Sequence, residues 1–66
     1  MTRQPPDWPL IHRLVRIVHS APGGGLHRAE LAEKAGLPPE SPALRQALMI
    51  AYRRHQIDFV RQYVVK

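Results

Sequence analysis

The chain has 66 residues, ten Lys and Arg against five Asp and Glu, and a net charge of +5, with no cysteine. That length is one domain near the lower limit for folding alone, since such a chain buries only about 60% of its unfolded surface. The missing cysteines exclude a disulfide framework and a cysteine-ligated zinc, and the excess of cations favours polyanionic partners. No apolar run approaches the roughly 20 residues of a membrane span. The opening MTRQPPDWP has no apolar signal-peptide core, so a cytoplasmic protein with no membrane partner is expected.

Residues 1–6 read as a disordered tail, because two prolines cannot continue a helix and nothing there builds a core. Residues 7–66 read as the domain. Asp7 is placed to cap a first helix, with Pro9 in its first turn. Up to His19 the spacing is helical: Leu10, Ile11, Leu14, Val15, Ile17 and Val18 share one side, and His12, Arg13, Arg16 and His19 the other. Trp8 is expected to cover the helix start as an apolar lid. Residues 20–25, SAPGGG, break the helix and read as a linker. No strand leads into the glycines and no Lys-Ser/Thr follows them, so they are not a phosphate-binding loop.

A second helix is expected over residues 28–35, capped by His27, with Glu30 as the other half of a capping box. Leu31 and Ala35 lie on its inner face, and Gly36 closes it in a left-handed conformation. Residues 37–40, LPPE, make the turn. Ser41 and Pro42 open a third helix running to residue 54, whose inner stripe is Leu44, Ala47, Leu48 and Ala51. Arg45, Gln46, Met49, Ile50 and Arg53 are expected on its outer side. After His55 the sequence turns to Ile, Phe, Val and Tyr, and alternation predicts two short strands near 57–60 and 62–65, joined at Arg61. Ile57 and Phe59 share a face, followed by Tyr63 and Val65. The segments 1–25, 26–40 and 41–66 carry +2, −1 and +4, so positive charge gathers on the third helix and beyond.

The order helix, helix–turn–helix, hairpin resembles the winged helix-turn-helix domain of small bacterial and phage regulators. The residues carrying the likeness are Glu30-Leu31-Ala32, Ala35-Gly36-Leu37, Leu44, Leu48 and the strand-like IDFVRQYVV. Ala32 stands four before the turn glycine, as in that family. Pro42 occupies the position where the simple motif has a branched apolar residue; Leu44 takes that role, which implies a turn two residues longer. The fold class implied is mainly α with a small β-hairpin: three helices plus a short wing.

The resemblance implies a non-enzymatic DNA-binding protein, a transcription regulator or an excisionase-like architectural protein, with double-stranded DNA as partner. The third helix would enter the major groove. Arg45 suits a guanine edge, Gln46 an adenine edge, and Met49 a thymine methyl. Arg53 would take a phosphate or a further base, and Arg54 and Arg61 would meet phosphates near the wing. Arg28 would meet the backbone beside exposed helix N–H groups. Ser41, at the start of the reading helix, completes the set. A monomer offers few contacts, so specific binding calls for dimers or cooperative assembly. The alternative is a winged-helix module that docks on a protein partner through an outward apolar pair, Met49 and Ile50.

Nothing supports catalysis or a cofactor. There are no paired carboxylates in an apolar cleft, and Ser20 and Ser41 fall in linker or capping contexts. His12 and His19 lie about 10 Å apart along one helix, too far to share a metal without further ligands.

Overall fold

The computed structural model describes residues 5–66. Of the tail expected over residues 1–6, residues 1–4 lie outside the described residues; Pro5 and Pro6 are exposed and belong to no regular element. Asp7 opens helix α1, Trp8–Ser20, its Oδ1 accepting the Leu10 N–H at 3.1 Å. Ile11, Leu14 and Val18 of α1 are fully buried, and Leu10, Val15 and Ile17 flank them.

The glycine-rich stretch is not the expected linker. Pro22–Gly24 make a single 3-10 turn, and Gly25–His27 form strand β1. Gly25 is required there by space: a Cβ would stand 2.6 Å from a Val65 methyl and 2.7 Å from the Val64 carbonyl oxygen. The sequence reading missed this because the partner strand lies at the other end of the chain.

Helix α2, Arg28–Ala35, follows directly. Gly36, at φ 75°, ends it with two bonds that satisfy its last carbonyls: Gly36 N–H to Glu33 at 3.1 Å and Leu37 N–H to Ala32 at 2.9 Å. Helix α3, Pro42–Arg53, begins where Ser41 Oγ accepts the Leu44 N–H at 3.4 Å. Its expected inner stripe, Leu44, Ala47, Leu48 and Ala51, is buried throughout. Past Arg54 the chain reverses at His55, a non-glycine residue at φ 60°. His55 N–H bonds to Tyr52 and Gln56 N–H to Ala51, both at 3.0 Å.

Strands β2, Asp58–Val60, and β3, Tyr63–Val65, make the expected hairpin, but the sheet has a third member. The order is β1-β3-β2, antiparallel throughout. Leu26, Val64 and Phe59 are in register across the three strands and face the helices. Alternation then turns Tyr63 and Val65 to the opposite face, so Val64 fills the core position of β3. Helices α1 and α2 thus pack on the three-stranded antiparallel sheet and α3 packs on α1, a mixed α/β fold with a helical majority. No helix among the described residues is long and apolar enough to cross a membrane.

Candidate nucleic-acid interface

The site is built where α2 begins, α3 begins and the hairpin turns. His27 caps α2: its Nδ1 accepts the Ala29 N–H at 3.1 Å, so the ring proton belongs on Nε2, which donates to Gln62 Oε1 at 3.0 Å. The Arg28 N–H donates to the Gln62 carbonyl at 2.9 Å. The tip of the hairpin is thereby tied to the start of α2 through both side chain and backbone of one glutamine. Glu30 makes no hydrogen bond among the described residues, so the second half of the capping box is absent; the cap bond runs instead to Ala29, two residues after His27.

Arg61 is held next to that fixed point. It stands at φ 58°, a left-handed conformation that costs a non-glycine residue roughly 1–2 kcal/mol. Arg61 opens into a groove of about 840 Å³ that it shares with His27, Arg28, Arg45, Leu48, Met49, Phe59 and Gln62. Arg28 reaches it from α2, with one guanidinium nitrogen donating to the Pro39 carbonyl at 3.2 Å. That bond fixes the side chain across the turn and leaves other guanidinium donors for a ligand. Arg45 is exposed on the first turn of α3. Three arginines from three elements therefore line one opening, against the single carboxylate of Glu40. Its floor is apolar: Leu48 is buried, Phe59 half-buried, and Met49 is 43% exposed.

The other expected contacts lie elsewhere. Gln46 is half-buried and does not line the groove. The Ser41 hydroxyl is engaged in capping α3. Arg53 borders a separate depression with Tyr52, His55, Ile57, Asp58 and Lys66, beyond the C-terminal end of α3. Arg54 is not near the wing: its guanidinium carbon sits 4.9 Å from the centre of the Trp8 ring, because α3 packs along α1 and its last turn reaches the start of α1. Trp8 in turn is no lid on the core, being 40% exposed beneath that guanidinium. Two of the N–H groups expected to greet a phosphate at the start of α2, those of Arg28 and Ala29, are spent on Gln62 and His27.

Ile50 is not fully exposed beside Met49; it is half-buried and packs against the core. Tyr52 and Phe59 pack with ring centres 5.3 Å apart, and His27 meets Tyr63 edge-on at 5.4 Å, so the aromatic residues serve packing here. Sequence reasoning missed His27 and Gln62 as parts of the site. The cap at His27 is a local signal, but nothing local marks Gln62, whose partner lies 35 residues away. No known family model, no curated protein and no solved structure matches the chain.

Proposed function

We propose that the protein is a small DNA-binding module of winged-helix type, acting as a regulator or architectural protein. The N-terminal half of α3 lies in the major groove and the hairpin tip meets the adjoining phosphates. The observation that carries this reading is the convergence of Arg28, Arg45 and Arg61 on one open groove. Arg45, exposed on the first turn of α3, reaches base edges, where paired hydrogen bonds to guanine give specificity. Arg28 and Arg61 flank it as phosphate contacts that set register.

Fluorescence anisotropy with mixed-sequence duplex DNA across roughly 50–300 mM salt tests it. Affinity is expected to fall steeply with salt and to drop at least about tenfold at low salt in an Arg45→Ala/Arg61→Ala variant, two lost contacts at 1 kcal/mol or more each. No duplex binding at the lowest salt overturns the reading.

The apolar floor of Leu48, Met49 and Phe59 favours a second reading, a protein segment seated in the same groove. It is the weaker one, because Ile50, one half of the outward apolar pair on which it relied, is half-buried against the core. Met49→Ala separates the two. Under the docking reading it removes partner binding, and under the DNA reading it leaves most duplex affinity in place.

A further inference from the structure

A second basic surface lies outside the groove. The outward side of α1 carries Arg13 and Arg16, both exposed, and the helix has no carboxylate from Trp8 to Ser20. The nearest acid in sequence, Asp7, is occupied in capping the helix. Trp8, His12 and Arg16 follow at four-residue steps, which aligns them along the helix over roughly 12 Å. The Trp8 and His12 rings lie 6.3 Å apart, and Arg54 covers Trp8. This row differs from an ordinary solvated face, of which the same molecule supplies an example: the exposed side of α2 mixes Glu30 and Glu33 with Lys34. A one-sign face with an aromatic residue and a stacked arginine at one end suits a nucleic-acid backbone.

The groove takes no side chain from α1, and α1 turns Ile11, Leu14 and Val18 inward against the core shared with α2 and α3. Since none of the residues on the outward side of α1 lines the groove, a duplex seated in the groove leaves that side open. Duplex DNA is stiff over about 150 base pairs, so a short one does not wrap a body this small. We propose that the α1 face, through Arg13, Arg16 and the Trp8–Arg54 stack, binds the backbone of a second DNA duplex, so that one molecule bridges two. The proposal rests on the groove binding the first duplex.

The test uses two duplexes of about 20 base pairs, one on beads and one fluorescent and free, with the full chain as bridge and anisotropy on a single duplex as the parallel readout. The native protein is expected to retain the fluorescent duplex on the beads. Arg13→Gln/Arg16→Gln, with folding checked by circular dichroism, is expected to keep single-duplex affinity within about threefold, as loss of distant charge alone implies, and to lose bridging at least about tenfold. Arg45→Ala/Arg61→Ala is expected to lose bridging and to bind a single duplex at least about tenfold more weakly than the native chain, through the α1 face alone. Native protein that binds single duplexes but bridges none overturns the second face and leaves the groove reading intact. Bridging that survives the α1 substitutions also overturns it, and assigns bridging to pairing of copies. Absence of any duplex binding overturns both readings.

Discussion

Arg61 and His55 are the two non-glycine residues with positive φ among the described residues. Each holds a conformation that glycine takes without steric cost, yet they sit in different settings. His55 ends α3 beside the second depression, whereas Arg61 is aimed into the groove by a turn that Gln62 pins to α2. Strain kept at a residue that presents a cation to an open groove supports the proposed contact of Arg61 with DNA. Arg61→Gly is therefore expected to stabilise the fold by roughly 0.5–1 kcal/mol, the relief of left-handed strain less the entropy glycine loses on folding. It should also weaken duplex binding. His55→Gly is expected to give a similar gain in urea unfolding with duplex affinity unchanged. An Arg61→Gly protein that binds as tightly as the native chain would remove Arg61 from the interface.

At the scale of elements, α2 depends on a cap that histidine rarely supplies. The imidazole bridges the first turn of α2 and the hairpin tip, so one side chain couples two elements that together set the walls of the groove. Removing it in His27→Ala is expected to cost about 1 kcal/mol, as for loss of other helix caps. His27→Asp keeps a cap acceptor but loses the reach to Gln62, and should recover only part of that stability in thermal unfolding. Full recovery would show that the link to the hairpin contributes nothing. The helix starts and stops were legible in the sequence because their causes are local: Asp7, Ser41-Pro42 and Gly36 act within a few residues. The strand at Gly25–His27 was not, since extended backbone becomes a strand only when a partner is present, and that partner is the C-terminal Tyr63–Val65.

The molecule as a whole has little stability in reserve. At about 0.05–0.15 kcal/mol per residue a chain of this length holds roughly 3–10 kcal/mol. Leu14 is fully buried on α1, the helix that packs on both α2 and α3. Leu14→Ala is expected to cost 2–5 kcal/mol, within the range for buried leucines, and to lower the thermal midpoint by at least about 10 °C. A loss below about 1 kcal/mol would mean that the site collapses onto the missing methyls, and that the core is looser than its burial indicates.

By itself the sequence determined the three helices, their caps and inner stripes, the C-terminal hairpin and the surplus of positive charge. Each follows from short-range periodicity, turn chemistry or simple counting. Tertiary structure decided the third strand, the phase that places Val64 in the core, the packing of Ile50 against that core and the pairing of Arg54 with Trp8. It also decided which arginines share a surface: Arg28, Arg45 and Arg61 together, Arg53 and Arg54 apart. The reason is physical. Which face of a helix meets solvent, and which distant side chains meet each other, depends on how elements cross and on pairings far apart in sequence. Helical period fixes angles within one element and carries no information about the element packed beside it.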